Sequence, residues 1–410
     1  MSNMNSKRRN ARGNARRRVL VKATALALAV ASFACVQQDA SADPQSRRQA
    51  KQMYDRLVGT PPTQALLNDL EGRVLADPVA AALYMLDKNE PHSSHFYATT
   101  LKNFATPWTN RDQTVFAPLN DYTATVIGMV RDDADFRTVL SADLVYTGQG
   151  ISPAYSNTNN DHYVAMESNN ADLRMVLQAT TQSSLNGLPP AATAGIITSR
   201  AAAEAFFIDG TNRAMFRFTM LNHLCHDMEQ VHDVTRPPDR IRQDVTRSPG
   251  GDSSLFLNNC IGCHSGMDPL AQAFAYYDFD ETQSRLVFTD GQVQPKYLIN
   301  ADNFKQGYVT TNDRWENRWS LPGKNAPMLR FAGPADQIHS GTGAKELGQE
   351  LANSGAFAQC QVEKVFRTVC FRSPSDAGDL AQVNTSTSNF SSGGNLKRVF
   401  AEVAAHCSGN

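Results

Sequence analysis

Cys260-Ile261-Gly262-Cys263-His264 sets two thiols three residues apart, with an imidazole directly after the second. That spacing suits covalent haem attachment. Each thiol adds across one vinyl group of the porphyrin, and the imidazole then ligates the iron from one face. With 7 Cys and 9 His in 410 residues, random placement supplies such a pentapeptide only about 0.003 times per chain, so chance is a poor account of it. Two other chemistries use a Cys-x-x-Cys pair. A thioredoxin-type dithiol sits after a strand in a βαβ unit, and no such alternation surrounds residue 260. Half of a zinc site needs two more ligands at comparable spacing, and the chain has no second Cys-x-x-Cys. The motif therefore implies one covalent haem c per chain, bound by Cys260 and Cys263, with His264 on the metal.

The sixth iron position separates an electron carrier, with a second strong ligand, from a catalyst with an open site. Met328, in Lys324-Asn325-Ala326-Pro327-Met328-Leu329, lies 64 residues after His264 in a Pro-bearing loop and is the first candidate for metal ligation. Packing on the core is its competing role. Met267 follows His264 by three residues, too close to reach the opposite haem face, and is expected to pack at the haem edge. His339 is a further distal candidate. His223, His226, Glu229 and His232 fall on a predicted helix. There His223 and His226 would share a face for a metal or a distal imidazole, or serve as ordinary cations near a helix end. Asp268-Pro269 reads as a turn or helix start with Asp268 as the cap; orienting His264 through a hydrogen bond is its functional alternative. Trp315, Trp319, Tyr276 and Tyr277 read as core aromatics, with haem cover as the alternative.

Haem is attached outside the bacterial cytoplasm, so the motif calls for export. Residues 1–42 have the form of a signal peptide: seven basic residues from Arg8 to Lys22, an apolar run from Ala23 to Ala34, and Ala40-Ser41-Ala42 as a cleavage site before Asp43. Arg17-Arg18 resembles a twin-arginine signal, but cargo that receives haem after export must leave unfolded, which favours an ordinary basic region. Cys35 offers the alternative of a lipid anchor, and so of an outer-membrane lipoprotein. The apolar run is too short to span a bilayer, and no later segment reaches that length, so no membrane span is expected. The expected location is periplasmic or secreted. Without the leader, 31 Lys and Arg face 39 Asp and Glu, a net charge of −8. That balance argues against nucleic acid or an anionic membrane as partner and favours a basic redox protein.

Cys225, Cys360, Cys370 and Cys407 remain, an even number in an oxidising compartment. Val362, Val365, Phe366 and Val369 repeat with helical period, so Cys360 and Cys370 lie on one helix. At 1.5 Å per residue they stand about 15 Å apart, too far to bond. Of the two pairings left, Cys370–Cys407 with Cys225–Cys360 is favoured because its first member closes the shorter loop.

The periodicity predicts a mainly α fold: a helical N-terminal region followed by a cytochrome c-like helical haem domain. Residues 43–133 read as helices broken at Pro61-Pro62 and Pro91, and 148–192 as a long loop with short elements. Helices are expected at 201–207 and 216–231, then at 344–353 and 356–371 with Gly355 as the stop between them. Residues 374–394 are Ser/Asn/Gly-rich, ahead of a last helix over 396–405. Length suggests two domains: a scaffold or docking region over 43–250 and the haem domain over 251–410.

Beyond the pentapeptide, Cys260 to Asp280 (CIGCHSGMDPLAQAFAYYDFD) resembles the haem segment of the large secreted cytochromes abundant in planctomycetes, through Asp268, Pro269, Phe274, Phe279 and Asp280. Asp132 to Tyr146, Ala194 to Ser199, Leu224-Cys225 and Phe357 to Cys370 are similar to further blocks of that family. The likeness covers about 130 to 371. The chain departs from the family near Gln272, and over His226 to Val234, where the family carries a proline run. The resemblance implies secreted, haem-based redox work. The leading expectation is an exported monohaem electron carrier. The alternatives are a peroxidase- or dehydrogenase-like haem enzyme with an open iron site, and a cell-surface structural or binding protein.

Overall fold

The structure is a computed structural model that describes residues 44–298 and 300–409. The expected leader, with Cys35, lies outside the described residues. The first helix, α1 (Pro44–Val58), buries Ala50, Met53, Tyr54 and Leu57, an apolar stripe at helical spacing. Thr63 caps α2 (Gln64–Ala76) by accepting from the Leu66 amide. Asp77 ends that helix and caps the next, α3 (Pro78–Met85), whose first residue is a proline that needs no amide donor. The breaks thus fall where the prolines require them.

Helix α4 (Asp121–Arg131) is buried along its whole length. Asp132 follows it and joins three elements: it accepts from Lys88 Nζ (2.7 Å), Arg131 Nη2 (2.7 Å) and the Tyr146 hydroxyl (3.0 Å). Its burial would raise the carboxyl, but the bonds from Arg131 and Lys88 prevail and hold it at about 2. A depressed carboxyl stabilises the fold fully above its ordinary range near 3.9, and the gain is lost as pH falls toward the folded value. Urea unfolding should therefore show about 2 kcal/mol of Asp132-dependent stability at pH 7. Asp132→Asn should remove that stability and shrink the difference between pH 5 and pH 3; an unchanged pH profile in the variant would refute the assignment.

The 148–192 stretch carries a ribbon, β1 (Val145–Gly148) antiparallel to β2 (Leu177–Thr180). A helix spans Arg200–Phe206, and α5 (Arg213–Thr219) continues through a π-helical turn, Met220–Leu224. The helix expected to reach Val231 stops there, because Cys225 adopts a left-handed φ of 57°. Beyond α6 (Ile261–Ala271) come two more antiparallel pairs, β3 (Tyr277–Asp280) with β4 (Arg285–Phe288), and β5 (Arg314–Asn317) with β6 (His339–Thr342).

Helices α7 (Gly343–Ala352), α8 (Gly355–Cys370), α9 (Ala377–Gly393) and α10 (Leu396–Ser408) complete the chain. Gly355 opens α8 rather than closing α7, since Ser354 caps α8 from the Phe357 amide. The Ser/Asn/Gly-rich stretch, to which composition assigns no element, is helical as α9. Asp376 caps it, Gly394 closes it in a left-handed conformation, and Val383, Ser386 and Phe390 give it a buried face. Tertiary burial outweighs weak propensity there.

The described residues are 55% helical, with only short strand pairs among them, as the mainly α expectation required. One hydrophobic core runs from Ala50 on α1 to Cys407 on α10. The boundary expected at 250/251 falls between stretches that share this core. Both favoured disulfides form: Cys225–Cys360 fastens the end of the α5 region to α8, and Cys370–Cys407 joins α8 to α10. Among the described residues, no helix is long and apolar enough to cross a membrane.

Candidate functional site

The Cys260–His264 motif sits within a continuous helical run. Asp252 caps Ser253–Leu255, a π-helical turn covers Phe256–Cys260, and α6 carries the remaining four motif residues. Cys260, Cys263 and His264 lie three and four residues apart, so they share one face of the run. All three are partly exposed, and both thiols are unbonded to each other. Burial pushes the Cys263 thiol up, and its sulfur lies 3.4 Å from the Met228 carbonyl oxygen.

The opposite face is packed against the protein through two glycines. A Cβ on Gly262 would come within 2.4 Å of the His232 ring, and one on Gly266 within 2.2 Å of the Trp319 indole. The segment around His232 is fastened there as well: the Asp233 amide donates to the Gly262 carbonyl, and the Ser265 hydroxyl to the Asp233 carbonyl. The glycines thus allow the back of α6 to seat tightly while the Cys/His face stays open. Gly266→Ala should cost about 1–3 kcal/mol in urea unfolding, because neither backbone nor indole has room to yield. Gly72→Ala on α2, where nothing stands within 4 Å, should instead stabilise by about 0.5–1 kcal/mol. Equal effects would refute the packing argument.

Asp268 is not a cap. It lies inside α6, one turn after His264, and its carboxylate is fully buried. It accepts from His264 Nδ1 (3.0 Å), from Arg213 Nε (2.7 Å) and Nη2 (3.0 Å), and from the Arg242 amide (3.2 Å). A buried carboxylate needs such donors, and a helix start could not have supplied them. Burial alone would raise Asp268, but the charges of Arg213, His264 and Arg242 hold it well below the usual carboxylate range. Arg213 is held in turn by Asp244 and Thr211, and the buried Arg242 donates to Thr211. Arg213, Asp244 and Arg242 were not legible in the sequence, since they stand 55, 24 and 26 residues from Asp268 with no shared period.

The remaining candidates are dispersed. Met328 lines a groove of about 260 Å³ with His226, Arg330, Gln359 and the Cys225–Cys360 disulfide, and no residue of Cys260–His264 lines that groove. His339 has both ring nitrogens engaged, by Glu350 (2.7 Å) and the Pro334 carbonyl (3.1 Å). His223 is buried against Tyr122, whose hydroxyl lies 2.7 Å from its Nε2; burial drives its pKa well down. It does not share a helix face with His226, because the helix ends at Cys225 between them. His232 packs on Gly262 behind the motif, and Glu229 is exposed. Met267 is buried in the main core. Trp315, Trp319, Tyr276 and Tyr277 are buried too, with the Tyr277 hydroxyl donating to the Ala192 carbonyl.

The donor set meets the needs of a covalent haem: two unpaired thiols and, beside them, an imidazole whose Nδ1 is anchored and whose Nε2 makes no hydrogen bond among the described residues. Among the described residues, no three His, Cys, Asp or Glu side chains converge as a metal-binding set. No family model, curated protein or solved structure matched the chain when compared with it.

Proposed function

We propose that this chain is an exported monohaem c-type cytochrome, akin to the secreted planctomycete-type cytochromes, that passes single electrons through the exposed edge of its haem. The observation that carries the proposal is the outward face of the motif helix, where Cys260, Cys263 and His264 stand together, unbonded to one another and backed by a rigidly packed helix. Cys260 and Cys263 would hold the porphyrin through thioether links, and His264 Nε2 would ligate the iron. When bound, the haem supplies a one-electron couple; the chain anchors the imidazole, keeps the motif helix in place and leaves one edge accessible.

Two disulfides support an oxidising compartment, periplasmic or extracellular. The acidic balance of residues 43–410 supports a basic redox partner. Electron exchange with such a partner should slow as salt is added, because docking between opposite charges is screened.

A second reading, a haem enzyme with an open iron position, has its own support. His339 is fully engaged elsewhere, and Met328 lines a groove that the haem motif does not reach. The optical spectrum separates the two readings. A thioether band lost in Met328→Ala marks a carrier ligated by Met328, whereas a high-spin spectrum shifted by cyanide marks an open site.

A further inference from the structure

We infer that Asp268 is the positioning residue of the haem centre: its carboxylate holds His264 in the Nδ1–H form and makes it a more basic iron ligand, which biases the metal toward its ferric state. This rests on the haem reading above. The bond is 3.0 Å between His264 Nδ1 and Asp268 Oδ1. Asp268 has no exposed surface, so it cannot turn away into water. The Arg213 fork and the Arg242 amide fix the carboxylate from two other parts of the chain, and Asp244 fixes Arg213 from behind. The imidazole orientation is therefore set by tertiary structure and not by the motif alone.

A carboxylate behind a metal-bound imidazole fixes its tautomer and raises its basicity. A more basic axial ligand donates more charge to iron and lowers the reduction potential. A neutral acceptor would orient the ring equally well while adding no charge. The competing role is purely structural, an ion pair that staples α5 to α6 (Arg213 Nε–Asp268 Oδ1, 2.7 Å).

Spectroelectrochemical titration of the covalently haem-loaded protein decides between the two. Asp268→Asn keeps an acceptor oxygen and removes the charge. It should retain covalent haem and shift the ferric–ferrous equilibrium at least tenfold toward ferrous, about 59 mV upward for one electron. Asp132→Asn breaks a carboxylate network that shares no residue with His264 or its partners, so it should lower stability and leave the potential in place. An Asp268→Asn protein at the parent potential overturns the inference, as does an equal shift in Asp132→Asn. Should Asp268→Asn fail to fold, the parent protein decides the matter. Reduced and under carbon monoxide it is diamagnetic, and with ¹⁵N-labelled histidine it should show a slowly exchanging Nδ1 proton on His264; a freely exchanging one overturns the inference. A parent chain without covalent haem brings down the reading beneath it, whereas a haem-bearing chain with unmoved potential brings down this inference alone.

Discussion

A Cys260→Ser/Cys263→Ser variant made in a host equipped for cytochrome maturation is expected to lose all haem on denaturation, while the parent chain stays coloured. Denaturation cancels every contact that depends on the fold, including the bond from His264, so only a covalent link keeps porphyrin on the chain. Both thiols are unpaired and partly exposed on one helix face, and the other four cysteines of the described residues are consumed in disulfides. Attachment therefore has no alternative sulfur among them. Haem staining after denaturing electrophoresis reads the result directly. Colour that persists in the double variant would mean attachment elsewhere, and a colourless parent would remove the basis of the functional reading.

Removing the Cys225–Cys360 bridge is expected to have the largest effect on stability. It spans 135 residues, against 37 for Cys370–Cys407. Chain entropy assigns the longer loop about 5 kcal/mol and the shorter about 4 kcal/mol, with 2–5 kcal/mol the usual measured loss for native bridges. The longer bridge also fastens the end of the α5 helical run, at the left-handed Cys225, to α8. Thermal unfolding of Cys225→Ala/Cys360→Ala should fall by roughly 5 °C, given the unfolding entropy of a chain this size. A change below about 1 °C would show that the junction is held by packing alone. Peptide mapping under non-reducing conditions checks both pairings at the same time.

The helical character of both ends was legible because apolar residues recur at helical spacing, as in Met53, Tyr54 and Leu57 on α1, or Val362, Val365 and Val369 on α8. The disulfide pattern was partly legible for a related reason: one helix carries Cys360 and Cys370, helical rise forbids their union, and loop length only favoured one of the two pairings left. Helix α9 was not legible. Its stretch of Ser, Thr and Asn has little intrinsic preference for helix, and what makes it helical is Asp376 at one end, Gly394 at the other and the burial of Phe390 between. The end of the α5 region was equally hidden, because the left-handed turn at Cys225 is compatible with the sequence but not demanded by it.

At the site, the division follows the range of the interactions. Five consecutive residues determine by themselves which thiols and which imidazole stand together, since helical spacing brings them to one face whatever surrounds them. The tertiary structure decided what stands behind that imidazole. Asp268, expected as a cap, is an acceptor shared by His264, Arg213 and Arg242. It also decided that His339 is tied to Glu350, that His223 is buried against Tyr122, and that Met328 lines a groove beside a disulfide. Those outcomes depend on contacts between segments tens of residues apart, formed only when loop closure is offset by burial of a common core, and no local period in a sequence records them.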